Sequence, residues 1–213
     1  LEMMFPVVIL SGGLGTRIKS KTKNHPKALL DIEGKPFIVR QLEYLSLQNI
    51  KKVIICAGYL GDQIQKVIGN GDAYNINVEY SFDGEVLLGT GGSIKKALYK
   101  LDEIFFILYG DSYLPISFKK VQDFFLKRNT SALMTIYKNE SKFDKSNVYF
   151  KNKTIIYNKD NPTAEMKYID YGLNLVNKKI FNKFMNNDIF DLSEVFTYLS
   201  ENSMLEVMEI YDR

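Results

Sequence analysis

The chain is poor in the residues from which covalent and metal chemistry is usually built. Its 213 residues hold one cysteine, Cys56, and one histidine, His25. A single cysteine excludes a disulfide within the chain. Cys56 lies in the apolar run Val53-Ile54-Ile55-Cys56-Ala57, where burial raises a thiol's pKa, so an inert core thiol is expected rather than a nucleophile. One histidine and one cysteine cannot assemble a zinc site of the usual ligand types. A His-dependent nucleophilic triad would have to draw its base from His25, which reads as a loop residue in Asn24-His25-Pro26-Lys27. Charge of one sign is also scarce. A net charge of +3 argues for neither a nucleic-acid nor a membrane partner. No apolar run approaches the ~20 residues that span a bilayer. Phe5 to Leu10 is followed by Gly-rich sequence without the cleavage pattern of a signal peptide. The expected location is the cytoplasm. Leu1-Glu2, ahead of Met3-Met4, is set aside as a cloning remnant.

The 46% hydrophobic and 25% charged content is ordinary and suits a single domain with one sizeable core. Phe5 to Leu10 is a short apolar, β-branched run ending near Gly12-Gly13, and it reads as a buried strand. Pro36 stands at a plausible first helical position, with Ile38, Leu42 and Leu45 at helical spacing. Val53 to Ala57 reads as a strand and Leu60 to Ile68 as a helix with Ile64, Val67 and Ile68 on one side. Asn77 to Ser81 and Ile104 to Tyr109 read as strands, with a helix from Gly91 to Leu101 between them. Val121 to Leu126 reads as helix and Ala132 to Tyr137 as strand. Alternating strand and helix over residues 1–137 predicts an α/β fold: a three-layer αβα, Rossmann-like arrangement around a mostly parallel mixed sheet. Beyond about residue 140, Asn147 to Phe150 and Thr154 to Tyr157 form a hairpin around Lys151-Asn152-Lys153. Tyr168 to Val176 and Met204 to Ile210 read as strands, and Phe181 to Met185 and Leu192 to Leu199 as helices. There is no repeat, low-complexity linker or domain break, so residues 1–213 are expected to form one domain. Right-handed crossovers put the loops after the parallel strands on one edge, where ligands of open α/β sheets bind. Ser11-Gly12-Gly13 and Gly110-Asp111 both fall there.

The sharpest signal is Leu10-Ser11-Gly12-Gly13-Leu14-Gly15-Thr16-Arg17. Glycines after a buried strand let the backbone approach a ligand, and successive N–H groups there make an anion-binding nest. Arg17 adds a fork of donors suited to phosphate. The dinucleotide fingerprint fails because Ile18 stands where a third glycine is needed, and the Gly-Lys-Ser/Thr ending of a Walker loop is absent.

Further pieces follow in order: Pro26-Lys27-Ala28-Leu29-Leu30, Gly34-Lys35-Pro36-Phe37, Gly58-Tyr59, Leu88-Gly89-Thr90-Gly91-Gly92 and Gly110-Asp111. Together they resemble the sugar-phosphate nucleotidylyltransferase family, with mannose-1-phosphate and heptose-1-phosphate guanylyltransferases the nearest in look. The resemblance implies transfer of a nucleotidyl group from an NTP to a sugar 1-phosphate, giving an NDP-sugar and pyrophosphate, for cell-surface glycan synthesis. It implies a nucleotide-binding part at 1–137 and a sugar-phosphate part at 138–213. Leu10, Ser11, Gly12, Gly13, Gly15, Thr16, Gly89 and Thr90 would hold the nucleotide, Arg17 and Lys27 would neutralise its phosphates, and Asp111 would bind Mg²⁺. Asn147, Lys159, Asp170 and Gly172 would meet the sugar phosphate. Asn158 stands before Lys159 where members often carry an acid that contacts sugar hydroxyls. Asp83 falls where members read the base; a carboxylate can accept from guanine N1–H and N2–H₂ together, which leans toward GTP, while Asp83-Gly84 also reads as a turn. The nucleophile is already ionised, so no general base is required and the protein must position groups and neutralise charge.

Members supply a second acidic metal ligand on a strand near the end of the catalytic core. This chain reads Glu209-Ile210-Tyr211-Asp212-Arg213 there, with Asp212 the acid nearest that place. Cytidylyl transfer to a non-sugar phosphate and a nucleotide-binding homologue without turnover stay open beside the sugar reading. The sequence leaves the sugar unspecified and is compatible with a homo-oligomer.

Overall fold

Apolar runs of five or six residues, several of them β-branched, pair side by side into a sheet buried on both faces. The computed structural model describes residues 3–12, 26–140, 142 and 144–211. Strands β1 (Val7–Ser11), β4 (Lys52–Ala57), β5 (Asn77–Phe82) and β6 (Ile104–Tyr109) run parallel in the order β6-β1-β4-β5. The long strand β10 (Tyr168–Asn177) lies antiparallel between β6 and β7 (Ala132–Lys138), and β11 (Glu206–Ile210) closes the edge parallel to β7. A hairpin of β8 (Val148–Lys151) and β9 (Thr154–Tyr157) joins β10 at Val148. The short strands β2 (Asp31–Ile32) and β3 (Lys35–Pro36) form a separate ribbon.

Side chains of successive strand residues go to opposite faces. On one face Val7, Ile9, Val53, Ile55, Phe106 and Leu108 pack with helices α1 (Phe37–Leu47), α2 (Gly61–Ile68) and α4 (Phe118–Arg128). On the other, Val8, Leu10, Ile54, Cys56, Phe105 and Ile107 pack with α3 (Gly89–Ala97) and α5 (Leu192–Glu201). This is the expected three-layer αβα arrangement with a mixed, mostly parallel sheet. Cys56 is fully buried, its Sγ 3.5 Å from the Ser93 carbonyl, and burial pushes its thiol far up, in keeping with an inert core residue.

Four local expectations are corrected. Pro36 precedes the helix rather than opening it, with extended ψ of 139°, because it ends the β2–β3 ribbon. Val67 is about half exposed, since the short α2 turns only Ile64 and Ile68 inward. The helix expected from Gly91 begins at Gly89 and tightens into a 3₁₀ turn over Leu98–Lys100. The segment around Phe181 is also 3₁₀, over Lys178–Phe184.

The C-terminal ends of β1, β4, β5, β6, β7 and β11 share one edge, and the N-terminal half of β10 returns to it. Between Asp170 and Asn174 strand β10 advances four residues while β7 advances two, from Ile136 to Met134. That bulge re-aims the start of β10 beside the end of β6.

Candidate active site at the C-terminal edge of the sheet

The first loop leaves β1 at Ser11. Gly12 stacks against Gly58, at the end of β4: a Cβ on Gly58 would stand 2.6 Å from the Gly12 carbonyl oxygen. A Cβ on Gly12 would stand 3.6 Å from Asp83 Oδ2. Leu10, Ser11, Gly12 and Asp83 therefore meet at one place. Ser11 Oγ, on the Gly110 side, is buried without a hydrogen-bond partner among the described residues, a polar atom of the kind that a ligand completes. Gly13, Gly15, Thr16, Arg17 and His25 lie outside the described residues, as does Asp212.

Asp83 is 8% exposed. Its Oδ1 accepts from the Ser93 hydroxyl at 2.6 Å and its Oδ2 from Leu88 N–H at 3.1 Å. Lys96 Nζ donates to its carbonyl oxygen at 3.0 Å. The carboxylate is thus turned into the α3 N-terminus. The glycines of Leu88-Gly89-Thr90-Gly91-Gly92 have a packing reason of their own. A Cβ on Gly89 would stand 2.5 Å from the Phe190 carbonyl oxygen, one on Gly91 2.4 Å from the Phe190 ring, and one on Gly92 2.3 Å from the Asp188 carbonyl oxygen. The segment before α5 lies across the start of α3, and the Gly91 and Gly92 N–H groups donate to the Phe190 carbonyl at 3.0 and 3.2 Å.

On the other side of the edge, Lys27 Nζ and Asp111 Oδ2 meet at 2.8 Å. Gln41 holds the turn that carries Asp111, its Nε2 donating to the carbonyls of Tyr109 at 3.2 Å and Ser112 at 2.8 Å. Gly172, at φ 104°, lets β10 come close: a Cβ there would stand 2.9 Å from Ser112 Oγ. Asp170 lies in the same bulge. It accepts from Gly172 N–H at 3.0 Å and from the Tyr109 hydroxyl at 3.1 Å, with Asn174 Nδ2 further off at 3.4 Å. Burial pushes its carboxyl up to about 6, against the pull of those donors and of Lys159. Asn147 Oδ1 accepts from Asp170 N–H at 3.1 Å. Lys159 Nζ stands 3.6 Å from Asp191 Oδ1. The structure therefore brings Asn147, Asp170 and Gly172 together and sets Lys159 beside them.

Asp191 links the two halves, and sequence reasoning missed it. It caps α5, accepting from Ser193 N–H at 2.8 Å, and Glu194 Oε1 accepts from Asp191 N–H at 3.0 Å. Burial raises its carboxyl, and Ser193, Lys159 and Thr90 together bring it below the ordinary value. Thr90 Oγ1 accepts from Leu192 N–H at 2.7 Å. The signal was legible: Asp191-x-x-Glu194 ahead of an apolar run is a capping box. Tyr109 was also missed, and nothing in its strand marks it; burial and Asp170 hold its hydroxyl well above its usual pKa.

The family model described as nucleotidyl transferase matches residues 6–190. D-glycero-alpha-D-manno-heptose 1-phosphate guanylyltransferase of Campylobacter jejuni is 34% identical over 198 residues, 92% of this chain and 85% of the relative. The protein of the same name from Aneurinibacillus thermoaerophilus is 31% identical over 201 residues, 93% of this chain and 83% of the relative. The crystal structure of HddC from Yersinia pseudotuberculosis in complex with GMP-PN superposes with a TM-score of 0.79 at 27% identity, covering 97% of this chain and 91% of that one. The inositol-1-phosphate CTP transferase of T. maritima superposes with a TM-score of 0.81 at 18% identity, covering 98% and 86%, which shows the shared fold. With the family model spanning most of the chain and two relatives above 30% identity matched over more than four fifths of their length, the chain belongs to the nucleotidyl transferase family and is a nucleotidyltransferase.

Proposed function

We propose that the chain transfers the guanylyl group of GTP to a heptose or mannose 1-phosphate, releasing pyrophosphate. The observation that supports this most is its match over 92–93% of its length to two heptose-1-phosphate guanylyltransferases, together with the Lys27–Asp111 pair at the same sheet edge as Gly12 and Gly58. An anionic phosphate oxygen attacks an anionic α-phosphorus in line, so the main obstacle is charge repulsion. Lys27 is assigned the charge near the α-phosphate. Arg17, outside the described residues, is assigned the β- and γ-phosphates. Lys159 is assigned the sugar phosphate, and Asn147, Asp170 and Gly172 the sugar hydroxyls.

Family enzymes of this kind use a divalent cation, and we assign Mg²⁺ to Asp111. The donor chemistry fits: Asp111 presents carboxylate oxygen at the edge, and an ammonium already rests on it at 2.8 Å as a cation would. Among the described residues no group of three or more His, Cys, Asp or Glu side chains could hold a metal alone, so phosphate and water oxygens would complete the set. Bound there, the cation would withdraw charge from the reacting phosphate. Among the described residues no helix is long and apolar enough to cross a membrane, and we assign the reaction to the cytoplasm.

Pyrophosphate release measured for four NTPs against mannose, heptose and glucose 1-phosphates, with phosphocholine as a non-sugar acceptor, tests the reading. GTP with heptose or mannose 1-phosphate should give the highest kcat/KM. Release only with CTP and phosphocholine, or nucleotide binding without release from any pair, would overturn it.

A further inference from the structure

A carboxylate buried to 8% exposure, with a hydroxyl and an amide as its partners, is costly unless those bonds have a purpose. Asp83 follows the last residue of β5, Leu88 is the cap of α3 and Ser93 lies one turn into that helix. Between Asp83 and Leu88 the chain turns through Gly84, at φ 98°. The carboxylate thus ties both ends of the turn and the first turn of α3 to the end of the sheet, directly beneath Gly12. The amides of the first turn are divided by this arrangement. Leu88 N–H goes to Asp83, and Gly91 and Gly92 N–H go to Phe190. The Gly89 and Thr90 N–H groups are left without a protein acceptor among the described residues. They sit at the N-terminus of a nine-residue helix, where amides favour anionic or electron-rich ligand groups.

We infer that Asp83 is a positioning residue for nucleotide binding: its buried carboxylate fixes the turn Leu88–Thr90 against Gly12, and it does not read the base edge. This rests on the nucleotide-binding half of the proposed function. The two roles make opposite demands on the side chain. A strut needs an acceptor for Leu88 N–H and any partner for the Ser93 hydroxyl. Asparagine meets both, with Oδ1 toward Leu88 and Nδ2 donating to Ser93 Oγ, since a hydroxyl accepts as well as donates. A reader of guanine N1–H and N2–H₂ needs two acceptor oxygens, and asparagine cannot supply them.

The test is nucleotide affinity, measured by calorimetry for GTP, CTP, UTP and dTTP on the whole chain, so that turnover is not required. Asp83→Ala should weaken binding of whichever nucleotides the wild type takes by about tenfold or more and by a common factor, leaving their order of preference unchanged. Asp83→Asn should recover most of that loss, to within about threefold of wild type. Ser93→Ala, which keeps the Leu88 bond, should fall between them, and it serves if the Ala variant does not fold. The sugar 1-phosphate KM should move less than the nucleotide Kd in all three. An Asn variant that inverts or flattens the preference among the four bases overturns the inference in favour of base reading. So does an Ala variant that binds as the wild type does. A wild-type chain that binds none of the four nucleotides removes the functional reading itself, and the inference with it.

Discussion

Lys27 and Asp111 come from segments 84 residues apart and meet at 2.8 Å while staying 41% and 55% exposed. So wet a pair adds only ~0–1 kcal/mol of stability, which makes it dispensable to the fold and available to the reaction. Asp111→Asn should therefore lower kcat by about 10²–10³-fold, with the thermal midpoint moving by no more than ~3 °C; full activity in that variant would refute the assignment. Asp170 makes a different demand. Its carboxyl titrates near 6 because burial disfavours its charge. Between the ordinary aspartate pKa and that value the folded chain binds more protons than the unfolded one. The stability this group contributes is thus greatest at acid pH and is lost as pH rises through about 6, levelling off above it. Asp170→Asn should remove that dependence, so urea unfolding should favour the variant increasingly from pH 4.5 to 7. Its carboxyl carbon resonance should titrate near pH 6; a midpoint at or below 4 would contradict the burial argument. The sequence marked Asp170, Asn147 and Gly172 as a group, and the structure puts them together. It did not mark Tyr109, whose contact with Asp170 depends on the two extra residues of the β10 bulge, a feature that pairing decides and local pattern does not.

At the scale of elements, α3 shows why a motif can be legible while its reason is not. Leu88-Gly89-Thr90-Gly91-Gly92 was read as ligand-binding sequence. Its glycines also admit the segment Asp188 to Asp191, and Lys95 fastens that segment and the chain just before it, donating to Asp188 Oδ1 at 2.8 Å and to the Met185 and Asn187 carbonyls at 2.6 and 2.7 Å. No periodicity announces a contact made by chain a hundred residues away. Helix propensity and packing then predict opposite signs for one change. Propensity alone makes Gly92→Ala stabilising by up to ~1 kcal/mol. The Asp188 carbonyl at 2.3 Å from the new Cβ is backbone, with no rotamer to yield, so a loss of about 1–3 kcal/mol is expected. A thermal midpoint lowered by several degrees supports the packing account, and a raised one refutes it. The strands β1, β4, β6 and β7 were legible because each carries a long apolar run that is largely buried. The direction of β10 was not, since antiparallel insertion between β6 and β7 is fixed by partners distant in sequence.

Across the whole molecule the two halves share one sheet and both cores. Residues Val8, Ile54 and Phe105 from the first half pack in one cluster with Val148, Val195 and Phe196 from the second. Leu173 and Leu175 join Val7, Ile9 and Phe106 on the opposite face. Neither 1–137 nor 138–213 keeps its apolar faces covered without the other, so we expect a single cooperative unfolding transition. Cys56 offers a probe within that shared core, buried under α3 on β4, the strand next to the β5 edge. In urea its labelling by a thiol reagent, applied as a short pulse, should follow the loss of helical circular dichroism with the same midpoint. Labelling that precedes it, or two resolved transitions, would mean that part of the sheet opens alone. A nucleotide that binds the folded chain should move this one transition intact. At about 100 times its Kd it adds ~2.7 kcal/mol, which for a chain of this size raises the midpoint by roughly 5–10 °C. Because the residues assigned to the nucleotide and those assigned to the sugar phosphate belong to one sheet, thiol labelling should shift by the same amount as the dichroism; a ligand that delayed one signal and left the other in place would separate the halves that the shared cores bind together.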